Sequence, residues 1–306
     1  MINGILNIYK EKGYTSHDVV ARLRGITGQK KIGHTGTLDP DAEGVLPVCL
    51  GRATKVCGML TDRDKAYRTV LLLGKTTDTQ DVTGTVLSEA DTGALTDDEA
   101  ASGIMGFVGE YDQVPPMYSA LKVGGKKLYE LAREGKTVER RSRKVVIREI
   151  RILRMELPRV EMEVSCSKGT YIRTLCHDIG EKLGTGGCME SLLRTRAGRF
   201  SVEESLRLDE VEKAVQEDRL AQILLPLDQV FDHMDRITVK DSGKMPAYNG
   251  NPLEFKHIEK LPAGCGQDAE CRVYDRDGHF IGIYRCDGRK FRLEKMFLDP
   301  ELVSQK

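Results

Sequence analysis

The sequence has no Cys-x-x-Cys pair, no long apolar run and no excess of charge of either sign. The spacing of its eight cysteines argues against a zinc ribbon, and several lie in apolar patterns where a free cysteine behaves as a small hydrophobe. No segment approaches the roughly 18 apolar residues of a membrane-spanning helix. The first residues acquire charge too soon for a signal peptide. We therefore expect a soluble, cytoplasmic protein whose thiols stay reduced.

Charge is balanced over the chain but not along it. Lysine and arginine number 47, aspartate and glutamate also 47, so the net charge gives no indication of a nucleic-acid partner. Residues 122–148, however, hold ten basic residues and three acidic ones, a local excess of seven positive charges. A charged run is commonly a solvated face, but this excess in a neutral protein suits a phosphate backbone.

Strand and helix patterns alternate without a regular repeat. Apolar alternation and β-rich composition predict strands at 4–8, 66–73 and 160–166. Helical spacing predicts helices from Ser16, as the cap, to about Arg24, from 97 to about 107, and over 172–183 with Gly184 as the C-terminal cap. Interleaved strands and helices without βαβ repetition predict an α+β domain.

The last 75 or so residues have a different character. Helical periodicity fades after Pro226, and the two Asp-Gly pairs at 277–278 and 287–288 are hairpin signals between strand-forming runs. We therefore expect two domains, residues 1–230 and residues 231–306, the second a small antiparallel β module.

The most informative segment is Gly33–Lys55, GHTGTLDPDAEGVLPVCLGRATK. Gly33 and Gly36 permit positive φ and close backbone approach, and Pro40 favours an extended conformation for Asp39. The segment is not a phosphate-binding Walker loop, because it lacks the Gly-Lys-Ser/Thr ending. An isolated Asp-Pro pair is most often an ordinary turn. Here the acid stands in a glycine-rich turn, and the apolar run that follows should anchor this loop to a core.

This segment closely resembles the active-site motif of the pseudouridine synthases of the tRNA pseudouridine synthase B type. PPMYSALK at 115–122 and KGTYIRTL at 168–175 match the same family. The resemblance covers the chain up to about Pro226. It implies the pseudouridine synthase fold: α+β, with a mixed, largely antiparallel central sheet flanked by helices. A small β-barrel-like PUA module that binds RNA is expected over 231–306.

The resemblance also implies an activity and its residues. Uridine in the T arm of tRNA, position 55 in tRNA nomenclature, would become pseudouridine. Asp39 would be the catalytic residue and Arg173 its ion-pair partner, and Tyr67 would stack on the flipped base, whose lost neighbours a π-face replaces. Tyr171 and Leu192 would line the same pocket.

The resemblance assigns the remaining residues to RNA binding. His34 would help to pry the target nucleotide out of its stack, although it could equally cap the turn. Residues 115–143 resemble an RNA-gripping insertion. The cations expected to meet phosphates are Lys122, Lys126, Lys127 and Arg133. Lys10 keeps the cation of a Lys-Pro-x-Gly pattern, with Glu11 in place of proline, and is a further candidate to meet RNA.

The chemistry requires no cofactor and no metal, because an isomerisation adds no group and involves no redox step. An ionised carboxylate can act as a nucleophile at the sugar or as a base that removes a sugar proton, and the sequence leaves both open. Rival functions are a guide-RNA-dependent enzyme acting on ribosomal RNA, an RNA-binding folding factor, and a glycosidase, for which no paired carboxylates are evident. We expect a stand-alone, monomeric tRNA enzyme with no obligate protein partner and no membrane association.

Overall fold

The computed structural model describes residues 1–262 and 266–299, so Cys265 lies outside the described residues. Among the described residues no two cysteines form a disulfide, and no helix is long and apolar enough to cross a membrane. The chain divides into two compact units. The first consists of Met1–Ile2 and Leu6–Ile223, and the second of Asn3–Ile5 and Leu224–Lys306.

Strands and short helices alternate up to residue 223. The strands are β1 Gly4–Lys10, β2 Ile32–His34, β3 Glu43–Leu50, β4 Lys65–Leu73, β5 Lys75–Thr77, β6 Val86–Glu89, β7 Gly109–Gln113, β8 Lys122–Val123, β9 Lys126–Lys127, β10 Arg143–Glu156, β11 Arg159–Cys166, β12 Gly187–Ala197 and β13 Phe200–Ser201. The helices are α1 Ser16–Thr27, α2 Cys57–Thr61, α3 Asp97–Met105, α4 Leu128–Arg133, α5 Ile172–Leu183, α6 Leu208–Gln216 and α7 Leu220–Ile223, with a 3-10 helix at Gly51–Val56.

A nine-stranded sheet forms the centre of the first unit. Its order is β1-β3-β12-β4-β11-β10-β7, with β2 beside β3 and β13 beside β12. Strand β12 runs parallel to β3, and the pairs from β12 through β4, β11 and β10 to β7 are antiparallel. Side chains of β4, β11 and α5 share one apolar core, which includes Leu71, Val160, Met162, Val164, Leu175 and Ile179. The mixed, largely antiparallel sheet with flanking helices is confirmed.

Helix boundaries follow the sequence signals at α5 and differ at α1. Helix α5 ends at Leu183. Its C-terminal cap is Gly184, as predicted, which has φ 73° and donates its N–H to the Glu181 carbonyl. Helix α1 is capped by Thr15, not by Ser16: the Thr15 side chain accepts the N–H of Asp18, whose carboxylate accepts the N–H of Thr15. The Ser16 hydroxyl accepts the N–H of Leu38 at 2.9 Å instead.

Within its described residues, the second unit is a curled sheet with one α-helix. Its strands are β14 Asp235–Thr238, β15 Leu253–Glu254, β16 Glu270–Tyr274, β17 Phe280–Cys286 and β18 Lys290–Met296, its helix is α8 Asp241–Tyr248, and 3-10 helices lie at Leu227–Phe231 and Phe255–His257. The strand order is β14-β16-β17-β18-β15, with β14 parallel to β16. The predicted hairpins through Asp277-Gly278 and Asp287-Gly288 are confirmed.

The two ends of this sheet are joined by the chain that follows β15. Val239, just after β14, forms an antiparallel bridge with Ile258. The N–H of Lys240 donates to His257 at 2.8 Å, and the N–H of Glu259 donates to Thr238 at 2.9 Å. The sheet therefore curls toward a barrel instead of lying open, which removes an unpaired edge.

Candidate active site

Asp39 lies in the loop between β2 and β3, and backbone contacts fix the loop on both sides of it. The N–H of Leu38 donates to the Ser16 hydroxyl, and the N–H of Gly13 donates to the Pro40 carbonyl at 2.9 Å. Leu38 itself is buried among the core residues of the first unit. The glycine-rich motif therefore forms a fixed turn that presents one carboxylate.

Lys10 supports this loop from inside the protein. Its side chain is completely buried, and its Nζ donates to the carbonyls of Glu11 at 3.1 Å, Tyr14 at 2.6 Å and Pro40 at 3.0 Å. Burial lowers the pKa of Lys10 to about 8, and the negative charge of Asp39 opposes that shift. The expectation that Lys10 meets RNA is wrong for this structure, because the side chain exposes no surface and its ammonium is occupied by carbonyls.

Arg173 forms the expected ion pair with Asp39. Its Nε lies 2.9 Å from Oδ2 of Asp39 and its Nη2 3.3 Å from Oδ1, so two nitrogens hold both carboxylate oxygens. Arg173 lies in the first turn of α5, and only 6% of its side chain is exposed. Its Nη1 also donates to the Thr79 carbonyl at 2.9 Å, and its Nη2 to the Tyr118 carbonyl at 2.8 Å. The guanidinium is thus held in one orientation.

A second carboxylate, Asp81, faces the same guanidinium and was not predicted. Its Oδ2 lies 3.8 Å from Nη1 of Arg173. Its other oxygen accepts the Thr79 hydroxyl at 2.8 Å and the N–H of Thr83 at 3.0 Å. Asp81 belongs to the turn between β5 and β6, which carries no local signal for a contact with α5. Arg173 therefore lies between two acids.

The charge state of Asp39 reflects opposing influences. Burial raises its pKa most, the Arg173 guanidinium lowers it, and the charge of Asp81 raises it again, with a net rise above the ordinary value of 3.8. Two-fifths of the side-chain surface remains open to the pocket although protein atoms crowd its other sides. A ligand that fills the pocket will remove more water from this carboxylate, so Arg173 is the group that keeps it ionised.

A pocket of about 600 Å³ opens over Asp39. Its lining includes five of the residues expected from sequence, namely Asp39, Tyr67, Tyr171, Arg173 and Leu192. Tyr67 on β4 is 8% exposed, and burial raises the pKa of its hydroxyl. Tyr171 precedes α5, and Leu192 comes from β12. The volume falls in the range of small-ligand sites, and the lining joins a carboxylate, a cation, two phenols and an apolar wall.

Gln113, at the end of β7, positions the start of α5 and was also missed from sequence. Its side-chain oxygen accepts the N–H of Tyr171 at 2.7 Å, and its amide nitrogen donates to the Tyr171 carbonyl at 3.0 Å. Only 1% of Gln113 is exposed. This two-bond clamp fixes the backbone two residues before Arg173, where no side chain caps the helix.

His34 stands outside the pocket lining. It ends β2, its ring packs edge-on against His17 with centroids 5.4 Å apart, and burial lowers its pKa. A neutral imidazole beside the Asp39 loop is therefore the resting form.

The insertion forms the hairpin β8–β9 followed by α4, and its cations do not line the pocket. Lys122, Lys126 and Arg133 are exposed. Lys126 already pairs with Glu134 at 3.2 Å. Lys127 and Arg133 lie over the Tyr129 ring, 5.3 and 5.4 Å from its centroid. Lys126, Lys127 and Arg133 therefore contact partners within the insertion itself.

Comparison with known proteins agrees with the motifs. Residues 24–172 match the TruB family pseudouridylate synthase N-terminal domain, and residues 173–232 match the tRNA pseudouridylate synthase B C-terminal domain. The chain is 53% identical to tRNA pseudouridine synthase B of Lachnoclostridium phytofermentans over 97% of this chain and 100% of that protein. This chain belongs to the TruB family. The protein of the same name from Clostridium perfringens is 44% identical over the same shares.

Solved structures give the same fold at lower identity. A Cbf5-Nop10-Gar1 complex contains a chain that is 28% identical, with a TM-score of 0.73, over 97% of this chain and 86% of that one. An H/ACA RNP bound to a substrate RNA containing 2'-deoxyuridine gives 27% identity and a TM-score of 0.72 over 97% and 85%. The fold of this TruB family member is that of the pseudouridine synthases.

Proposed function

We propose that this chain isomerises uridine to pseudouridine in tRNA, with Asp39 as the catalytic carboxylate. One observation carries the proposal. Two nitrogens of Arg173 hold both oxygens of Asp39 at the floor of a pocket that Tyr67 and Leu192 line. A carboxylate fixed this way can meet a substrate atom in one geometry, and fixed geometry is a large part of catalysis.

Each of the pocket residues would have a separate role in binding a flipped uridine. Tyr67 offers an aromatic face that replaces the stacking lost when the base leaves the helix. Leu192 supplies an apolar wall, and Tyr171 lines the same pocket. Arg173 keeps Asp39 charged as water is expelled, because a nearby cation favours the ionised form of an acid.

The reaction needs only atoms that the substrate brings. The C–N glycosidic bond breaks, the uracil turns, C5 bonds to the same sugar carbon, and the C5 proton leaves while N1 gains one. Ionised Asp39 can attack the sugar carbon or remove a sugar proton. The Tyr67 hydroxyl would take part in the proton transfer at C5. Neither route calls for a metal or another cofactor.

The substrate is tRNA, modified at position 55 in the T arm. Support comes from the relatives, which are named tRNA pseudouridine synthases. Residues 1–230 would then form the catalytic domain, with residues 115–143 as its RNA-gripping insertion. Residues 231–306 would form a PUA-like RNA-binding domain, in keeping with the curled five-stranded sheet. His34 would help to displace the target nucleotide.

A guide-RNA-dependent enzyme is the rival, since one similar solved chain comes from an H/ACA RNP bound to a substrate RNA. The basic hairpin favours an enzyme that holds tRNA without an obligate protein partner. We further propose that the enzyme acts as a monomer in the cytoplasm.

The test is to incubate unmodified tRNA with the purified protein alone and to map pseudouridine by base. The wild type should modify one uridine of the T arm without added RNA or protein. Asp39→Asn keeps the shape and removes the charge, so it should bind tRNA and give no product. Product from Asp39→Asn would remove the assigned role from Asp39. Dependence on a guide RNA would replace the proposal with its rival.

A further inference from the structure

A second arginine, Arg194 on β12, belongs to the lining of the pocket, is almost completely buried, and was not predicted. Only 1% of it is exposed. Its Nε donates to the Val45 carbonyl at 2.6 Å, its Nη2 to Gly36 at 3.3 Å and its Nη1 to Thr37 at 3.5 Å. Two of these carbonyls precede Asp39 and one follows it. One rigid guanidinium therefore bridges both ends of the loop that carries the carboxylate.

The backbone of Arg194 is as close to this loop as its side chain. Arg194 pairs in parallel with Gly44 at the start of β3. Gly44 has φ 102°, and a Cβ there would collide with the backbone of Arg194. The second glycine-containing stretch of the motif, Asp41–Gly44, thus permits the loop to approach β12.

Arg194 also stands beside Tyr67. The register of β12 and β4 places the two residues opposite each other, and the guanidinium interacts with the phenol hydroxyl. The charged or titratable groups that act on Tyr67 are Arg194 from β12, Cys166 from β11 and Asp39 from its loop. Arg194 is the cation of that set.

Such a residue is costly for the fold. Within the described part of the chain its polar partners are three carbonyls and a phenol, none of them an anion at neutral pH. Burial lowers the pKa of Arg194, which reports the unfavourable transfer of its charge from water. A role in the reaction accounts for an enclosed cation at this place.

We propose that Arg194 is a positioning residue of the isomerisation, which holds both ends of the Asp39 loop in one geometry and keeps a fixed positive charge beside the Tyr67 hydroxyl. This inference rests on the proposed function. The loop contacts require the planar fork of arginine, whereas the effect on Tyr67 requires only charge. Two substitutions therefore separate the two parts: Arg194→Lys keeps the charge without the fork, and Arg194→Met removes both.

The first measurement is the single-turnover rate at saturating tRNA, with tRNA affinity measured in parallel. A loop misplaced by about 1 Å can cost on the order of a hundredfold in rate, so Arg194→Lys should be slower by roughly 10- to 100-fold. Arg194→Met should be slower still, and affinity should change little because Arg194 is enclosed. Arg196→Met, an exposed arginine on the same strand, is the matched control and should react like the wild type.

The second measurement needs no tRNA. Ultraviolet titration of each enzyme, minus that of its Tyr67→Phe counterpart, isolates the Tyr67 hydroxyl. Its pKa should rise in Arg194→Met and stay near the wild-type value in Arg194→Lys, because a nearby cation favours the phenolate. A purely structural role would not follow charge in this way.

The outcomes separate this inference from the function on which it rests. If the wild type leaves tRNA unmodified, the proposed function is wrong. The Tyr67 titration would still test whether the charge of Arg194 acts on the Tyr67 hydroxyl. With an active wild type, rates for both Arg194 variants that equal the Arg196→Met rate would overturn the positioning role. Loss of cooperative folding in both variants would assign Arg194 to the core alone and overturn it as well.

Discussion

At the scale of single residues, opposing effects set the ionisation of Asp39. Burial and the charge of Asp81 disfavour its ionised form, whereas Arg173 stabilises that form. Its pKa is higher in the folded protein than in the unfolded chain, so the folded state binds the proton more tightly. Ionised Asp39 therefore lowers stability at neutral pH, and that cost fades as the pH falls through the raised pKa toward 3.8. The proposed reaction uses ionised Asp39, which is the form that the fold disfavours.

The raised pKa of Asp39 leads to a prediction for the stability of Asp39→Asn, whose side chain mimics the neutral acid. The variant should unfold at the same temperature as the wild type or higher at pH 7, and the difference should shrink as the pH falls toward 4. Thermal unfolding at several pH values checks it. Asp81→Asn is a second variant for the same measurement. It removes a charge that raises the pKa of Asp39, so it should lower that pKa. A clearly lower melting temperature for Asp39→Asn at pH 7 would show that the ion pair stabilises the fold instead.

Arg173→Lys tests whether the planar fork matters beyond charge. Lysine cannot hold both oxygens of Asp39 together with the Thr79 and Tyr118 carbonyls, so we expect the single-turnover rate to fall by about a hundredfold or more, with little change in tRNA affinity. The matched control is Arg159→Lys, because Arg159 holds both oxygens of Glu190 at the surface. A wild-type rate for Arg173→Lys would reduce Arg173 to a source of charge.

Single residues also show which parts of the candidate site could be predicted from the sequence and which could not. Asp39 and Arg173 could be identified because each lies in a distinctive motif. Lys10 was misread, because nothing local distinguishes a lysine that meets phosphates from one that meets carbonyls. Arg194 and Gln113 were missed for the same physical reason: their partners are backbone atoms of distant segments, and backbone atoms leave no signature in a sequence.

At the scale of elements, the β8–β9 hairpin with α4 is the candidate grip on RNA. Replacing Lys122, Lys126, Lys127 and Arg133 by alanine should weaken tRNA binding. It should also flatten the salt dependence, by roughly one unit of log–log slope for each phosphate that the variant no longer neutralises. Because Lys126 is already paired with Glu134, we expect the slope to change by less than four units in total. The catalytic step at saturating tRNA should change little.

A salt series of binding constants measures this slope. The control variant replaces Arg151, Arg154 and Arg159, three surface arginines already paired with glutamates. If the hairpin variant and this control have the same slope as the wild type, RNA is held elsewhere on the protein.

Helix α5 shows the limits of helical periodicity as a guide. The periodicity gave its bounds, but Gly180 in its interior looks like a weak point in the helix. In the structure a Cβ at Gly180 would overlap the backbone of Gly186 and Gly187, where the chain enters β12. The glycine therefore sets how closely the helix that carries Arg173 can pack on the sheet.

Gly180→Ala should lower the free energy of unfolding by about 1–3 kcal/mol through overpacking. Gly25→Ala is the matched control in α1, where a Cβ meets nothing within 4 Å, and it should raise stability by about 0.5–1 kcal/mol. Urea unfolding of both variants decides. If Gly180→Ala is as stable as the wild type, α5 can move away from the sheet at little cost.

At the scale of the whole molecule, the sequence predicted the individual strands and helices better than it predicted the contacts between distant segments. Alternation, caps and Asp-Gly turns gave most strands and helices in both units, because these signals lie within a few residues. The order of the nine-stranded sheet and the curl of the second unit depend on contacts between distant segments. The pairing of Asp39 with Arg173, 134 residues apart, could be expected only from resemblance to a family.

The absence of a metal requirement is a prediction for both units. One group in the described residues has metal-like spacing, Asp275, Asp277 and His279 in the second unit. Its acids already have a cation, since Nζ of Lys244 lies 2.6 Å from Asp277 and 3.8 Å from Asp275. The buried Asp275 also accepts the Tyr248 hydroxyl and the N–H of His279. A metal ion would have to displace the ammonium and these donors.

We therefore expect a chelator to leave both the isomerisation rate and the thermal unfolding of the second unit unchanged. Lys244→Met is the sharper probe, because it removes the ammonium and leaves the three possible ligands in place. Added zinc should raise the melting temperature of Lys244→Met more than that of the wild type, if the ammonium is what keeps the site from binding metal. Activity that is lost on chelation and restored by one metal would contradict a cofactor-free isomerase. An unfolding transition of the wild type that moves with the chelator would show that the Asp275 cluster is a structural metal site.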